Sequence, residues 1–206
     1  MSMGLKKIIK IMILSDFVLS LGWGLVSPVF AIFIVEKIVD NLSVAAKTAG
    51  FASLCYLVTK AIFQLPLAKF LDKRQNQKDI FFFLVTGTIL ASIVPIGYLF
   101  SSRAWHIFFW QTLFGFSMAM AHPSWLVIFT KHLDKGKETM EWALETTFLA
   151  IGSGIAGLIG GLIVASFGFK VLFILVSFLT LSSSFLLFLI KDEILFPAKK
   201  VVDSHS

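Results

Sequence analysis

The chain has 206 residues, of which 57% are hydrophobic and only 15% charged, with a mean hydropathy of +0.90. Soluble domains carry about 25% charged residues, and 23 Phe with five Trp suit lipid rather than water, which excludes an ordinary soluble enzyme or scaffold. A net charge of +6 raises the question of nucleic acid until the basic residues are located, and the lone cysteine, Cys55, rules out a disulfide framework or a cysteine-based metal site.

Runs of about 18 or more apolar residues predict six membrane spans, at residues 11–35, 48–68, 80–101, 104–130, 146–169 and 171–190. Span one carries a single charge, Asp16, and its Gly22, Gly24 and Pro28 are tolerated in a bilayer because neighbouring groups satisfy the backbone they free. A carboxylate at the centre of such a helix costs roughly 2.5–3.5 kcal/mol. Asp16, Ser20, Trp23 and Ser27 share one face. Lys6, Lys7 and Lys10 precede this run as in a signal peptide, but the run is too long for one and no small-residue cleavage site follows, so we expect it to be retained.

Span two places Tyr56, Lys60 and Gln64 at steps of four, and span three has only scattered Ser and Thr. Span four aligns Gln111, Gly115, Met118, His122 and Trp125 on one face. Span five is a glycine helix in which Gly154, Gly157, Gly161 and Gly168 share a face, with Gly160 beside them. Such small-residue stripes let membrane helices approach closely. Glu145, at its start, reads as a solvated helix-terminus residue. Span six resembles span three, and 191–206 is a short tail. No loop is long enough for a soluble domain, so residues 1–206 form a single membrane domain.

Orientation follows from the Lys and Arg. Thirteen of the eighteen, from Lys6 to Lys200, fall on the side of the termini, against Lys37, Lys47, Arg103 and Lys170 on the other, with Lys60 inside a span. By the positive-inside rule both termini are cytoplasmic. The charge is topological, and no nucleic-acid partner is expected.

The polar faces of spans one, two and four point to a common interior, with spans three and six towards lipid and span five joining through its glycines. At 1.5 Å per residue, Asp16 lies about 9 Å from the cytoplasmic edge, and Lys60 and His122 about 14 Å. An Asp16–Lys60 pair with His122 nearby is therefore expected. It reads either as a substrate or proton site, the default for intramembrane ionisable groups, or as a buried structural pair, with Lys60 alternatively snorkelling to the interface. A weak repeat superimposes Asp16 on Gln111 and Pro28 on Pro123 at an offset of 95, and 68–73 on 165–170 at an offset of 97. Three spans duplicated in tandem have inverted topology, as in transporters.

These residues resemble one half of a major facilitator superfamily transporter across essentially the whole chain. Gly22-x-Gly24-x-x-x-Pro28 is similar to that family's first helix. Ala68-x-x-x-Asp72-Lys73-Arg74 is similar to its cytoplasmic Gly-x-x-x-Asp-Arg/Lys loop, and Ala156-Gly157-x-x-Gly160-Gly161 to its Gly-Pro-x-x-Gly-Gly helix. Ala68 replaces the loop glycine, Gln75 stands where a second glycine is usual, and Gln111 where many members carry an arginine linked to proton coupling. The resemblance implies an all-α bundle of six spans with an inverted three-plus-three repeat. It also implies a half-size secondary transporter of a small solute in the plasma or inner membrane, with no cofactor. A twelve-helix transporter pairs two such halves, so a homodimer or a second half is implied. Asp16, Lys60 and His122 then form the polar site, Trp23, Tyr56, Gln111, Met118 and Trp125 line the path, and Asp72–Arg74 latch the cytoplasmic side. The other open reading is a non-transporting half that binds another membrane protein. An intramembrane enzyme is disfavoured: there is no Gly-x-Ser-Gly nucleophile followed by a histidine on a later span, and no His-Glu-x-x-His site among His106, His122, His132 and His205.

Overall fold

The computed structural model describes residues 5–74 and 76–196. Gln75, Lys199, Lys200 and His205, invoked above, lie outside the described residues. Seven helices follow one another among those described: α1 (Lys7–Val26), α2 (Phe30–Lys37), α3 (Leu42–Arg74), α4 (Gln77–Leu99), α5 (Ala104–His132), α6 (Glu138–Phe188) and the short α7 (Lys191–Leu195). No strand occurs among the described residues. Five of the helices (α1, α3, α4, α5 and α6) are long and apolar enough to cross a membrane.

Predicted span one is divided. Pro28 has no N–H to return to Gly24, so the ladder stops. The chain then turns tightly, Val29 N–H to Val26 C=O at 3.0 Å, before α2 resumes. Helix α3 is 33 residues long, about 50 Å at 1.5 Å per residue. Asn41 caps its start, its Oδ1 accepting from the N–H groups of Ser43 (2.9 Å) and Val44 (3.2 Å). Its last turns contain the segment read as a loop: Ala68 to Arg74 are helical. Arg74 reaches Asp79 in the first turn of α4 at 3.3 Å and stacks its guanidinium 4.7 Å from the Phe70 ring centroid.

Helix α6 runs 51 residues, about 77 Å and therefore more than twice a hydrocarbon core of about 30 Å. Gly168 breaks it, with φ 75° and ψ 175°, a conformation available essentially to glycine alone. Its start is also earlier than the apolar run suggests, at Glu138 rather than at residue 146, because Gly136 (φ 82°) closes a short turn after α5.

Packing corrects the expectation that spans three and six only fence the bundle. Helix α4 is the most deeply buried of the long helices and α3 the least. The reason lies in small residues. A Cβ at Gly87 would sit 2.5 Å from the Ser117 carbonyl oxygen, so α4 and α5 meet backbone to backbone. On its other flank Ser177 of α6 donates to Ser92 C=O at 2.6 Å. The buried hydroxyls of α4 are satisfied by their own helix, Thr88 donating to Leu84 C=O at 2.8 Å and Ser92 to Ile89 C=O at 2.7 Å. Helices α1 and α6 close in the same way, Gly160 lying directly against the Leu25 carbonyl. Along most of its length α3 leans on α5, leaving Leu57, Ile62 and Leu65 uncovered by the rest of the chain.

Two apolar clusters result. One gathers Ile9, Met12, Ile128, Phe129 and Leu187 at the end where α1 begins. The other gathers Phe33, Ile34, Tyr98, Leu172 and Phe173 at the opposite end.

Candidate functional site

A cavity of about 320 Å³ opens beside the first apolar cluster, walled by α1, α4, α5 and α6. Asp16 projects into it from α1 and Glu145 from α6. Both carboxyls line the same cavity, and ionised carboxylates only accept, so neither satisfies the other. Glu145 is 5% exposed, which corrects its reading as a solvated residue. Because α6 starts at Glu138, Glu145 stands two turns inside the helix, on the buried stripe that continues through Gly152, Ala156 and Gly160.

The wall beside Asp16 is rigid. Ser15 donates to the Ser183 carbonyl at 3.0 Å and its hydroxyl meets that of Ser183 at 2.9 Å, while Ser20 and Ser153 pair at 2.7 Å one turn further on. Across the cavity α5 supplies Met118, His122 and Trp125. The Trp125 ring is stacked on Phe129 (centroids 4.6 Å apart, 15° between planes) and meets Trp142 edge-on at 6.1 Å. The buried Trp125 Nε1 and His122 Nδ1 have no protein partner.

Of the residues singled out from sequence, Asp16, Met118, His122 and Trp125 thus share one cavity. Lys60 does not line it. It occupies an open depression on α3 with Gln64, and the expected Asp16–Lys60 ion pair is not formed. Trp23 and Tyr56 belong to a separate ring stack, with Phe114 sandwiched between them: 3.8 Å to Trp23 and 4.9 Å to Tyr56, both at 21°. The stack ties α1, α5 and α3 together. Gln111 is half-buried one turn before Phe114 on α5. Among the glycines, Gly160 makes the close approach, Gly157 meets only the Pro28 ring at 3.9 Å, and Gly154 and Gly161 face open space. Residues that sequence reasoning missed are Glu145, Trp142 and Ser183. A helix started eight residues earlier would have put Glu145 in phase with Gly152 and Gly160.

At the end where the N-terminus lies, a polar clasp joins α1 to the α5–α6 turn. Lys6 pairs with Asp134 at 2.7 Å and donates to the His132 carbonyl at 3.0 Å, and Glu141 accepts from the Asp134 N–H at 3.1 Å. The hydrogen bond from Lys6 holds the Asp134 carboxyl below its ordinary range. Lys7 pairs with Glu193 at 2.6 Å. The charged motif residues Asp72, Lys73 and Arg74 are exposed, and the partner of Arg74 is Asp79.

The family model described as Major Facilitator Superfamily matches residues 12–202 of this chain. No curated protein matches it.

Proposed function

Because the chain belongs to the major facilitator superfamily, we propose that it is a half-size secondary transporter which moves a small solute by rocking against a second half. The family consists of transporters rather than enzymes, and the chain is a multi-pass membrane protein. The observation that carries the reading is the cavity itself, a partly open pocket that holds two acidic side chains, Asp16 and Glu145, inside an otherwise apolar bundle.

In this reading α6 crosses the membrane twice, either side of Gly168, giving six spans. The inverted three-plus-three repeat and cytoplasmic termini follow from the basic residues and the repeat offsets. The uncovered face of α3, with Lys60 and Gln64 among Leu57 and Leu65, is the surface a second copy or a partner half covers, since such polar groups are costly against lipid. Tyr56, Trp23 and Gln111 border the path between the halves, Asp72–Arg74 flank it at the cytoplasmic end, and the open Gly154 and Gly161 give α6 a close-packing face. The membrane is the cell or inner membrane. The same α3 face also fits a non-transporting half that docks on another membrane protein.

Reconstitution separates the two. Proteoliposomes holding the protein, exposed to a mixed pool of small solutes and read by mass spectrometry, retain at least one solute over protein-free vesicles, and Asp16→Asn abolishes that retention. Native mass spectrometry of the same preparation finds a dimer. A monomer that retains nothing refutes the transport reading. Single cysteines at Gly136, Lys170 and Lys191 in a Cys55→Ser background test the path of α6: if it crosses twice, Gly136 and Lys191 label from one side and Lys170 from the other, and any other pattern refutes the double crossing.

A further inference from the structure

We infer that the cavity between α1, α4, α5 and α6 selects a small organic cation, a protonated amine carrying a neutral hydrogen-bond acceptor such as a hydroxyl. This rests on the transport reading above and gives it a substrate class. The polar atoms that remain free to meet a ligand are few. Ser15 and Ser183 bond each other, and Thr88 bonds its own helix. What is left is the Asp16 and Glu145 carboxyls, His122, the indole N–H of Trp142 and the fully buried indole N–H of Trp125. No described residue lining the cavity is Lys or Arg. The two carboxyls face one cavity with no basic side chain in its lining, and an ammonium between them neutralises negative charge where an unpaired charge is costly. An anion would meet the carboxyls unaided, and Lys60, the cation that would have suited a zwitterion, opens onto a different surface of α3.

The rest of the wall agrees with this chemistry. Trp142 and the 9%-exposed Trp125 offer ring faces and edges that suit a cation with an apolar body. Trp125 Nε1 is an indole N–H, a donor only, buried and without a partner. A bare ammonium would leave it unsatisfied, whereas a hydroxyl or carbonyl oxygen on the ligand takes its hydrogen bond. The cavity volume, about 320 Å³, is at the small end of the ligand-site range and suits a ligand of about ten non-hydrogen atoms.

Four matched probes test this in lipid nanodiscs by equilibrium dialysis at neutral pH: phenylethanolamine (cation with hydroxyl), phenethylamine (cation alone), phenylethylene glycol (neutral) and mandelate (anion). Phenylethanolamine binds best, phenethylamine second, and the neutral and anionic probes least. Asp16→Asn and Glu145→Gln each weaken amine binding by about tenfold or more, the loss of one charge-assisted contact. Trp125→Phe, which keeps the ring, erases the advantage of phenylethanolamine over phenethylamine. Gel filtration and circular dichroism establish that the variants fold. Mandelate or the glycol binding best, amine binding untouched in both carboxyl variants, or no binding of any probe overturns the assignment. Flux in proteoliposomes distinguishes the two levels. An amine that binds but is not moved refutes transport and leaves the ligand class. Uptake of mandelate with amines excluded leaves transport and refutes the class.

Discussion

Gly160 and Gly161 are neighbours in sequence, about 100° apart around α6, and the structure assigns them opposite roles. A methyl group at Gly160 would overlap the Leu25 backbone, which cannot rotate away, whereas one at Gly161 meets nothing within 4 Å. Gly160→Ala therefore forces α1 and α6 apart. That loosens the contact of Gly24 with Ala156 Cβ and stretches the Ser20–Ser153 hydrogen bond of 2.7 Å. Overpacking costs about 1–3 kcal/mol and a membrane side-chain hydrogen bond about 0.6 kcal/mol. The gain in helix propensity returns about 0.5–1 kcal/mol. The expected net loss is about 0.6–3 kcal/mol. Gly161→Ala carries only the propensity term and gains up to about 1 kcal/mol. Unfolding in mixed micelles by titration with a denaturing detergent, followed by circular dichroism, measures both against the parent. Shifts in the same direction, or a Gly161 variant that is the less stable of the two, would refute the α1–α6 register described here.

Three further outcomes follow from local geometry. Gly168→Ala places a side chain in a glycine-only backbone region and should cost about 1–3 kcal/mol in the same assay; an unchanged midpoint would mean that α6 is not broken there. Phe114→Leu removes the middle ring between Trp23 and Tyr56, with about 0.5–1.5 kcal/mol lost per aromatic contact. A lower melting temperature and altered tryptophan emission are the expected signs, and an unchanged spectrum with unchanged stability contradicts the stack. Asp134 titrates below its ordinary range because Lys6 hydrogen-bonds it. A carboxyl depressed on folding contributes stability that is complete above its unfolded pKa of about 3.9 and disappears as pH falls through the lower folded value. Melting temperature should thus drop as the medium is acidified through that window, and less steeply in Asp134→Asn; superimposable profiles would remove the clasp from the account.

Much of this organisation was legible in the chain because a bilayer makes helix length and charge placement nearly obligatory. The apolar runs marked the crossing helices, and the motifs at Gly22–Pro28, Ala68–Arg74 and Ala156–Gly161 pointed to the family that the family model matches. Asp16 and His122 stood out as expensive residues in apolar runs, and the cavity holds both. What the chain concealed has specific causes. Glu145 was hidden because hydropathy marks where lipid begins, and α6 begins two turns earlier, at Glu138. Helix α4 looked peripheral because polarity was taken as the mark of an interior, yet Gly87, Thr88 and Ser92 bury it by small size and self-satisfied hydroxyls. Lys60 was assigned to Asp16 because depth along the helix can be read from sequence and azimuth between helices cannot.

Helix α3 borders mainly α5, α5 borders α4, α4 borders α6, and α6 borders α1, which meets α5 again through the Trp23–Phe114 stack. The helices around the cavity are held unequally. Helix α1 is stapled by serine pairs and a backbone-level glycine contact, whereas α3 is held chiefly along one flank. Mechanical load applied at α3 reaches the acidic cavity chiefly by way of α5, the helix that also carries His122 and Trp125. The stiffness of α5, including the missing backbone bond at Pro123, therefore sets how much of any movement at α3 is felt at the cavity and how much is absorbed as bending before it arrives.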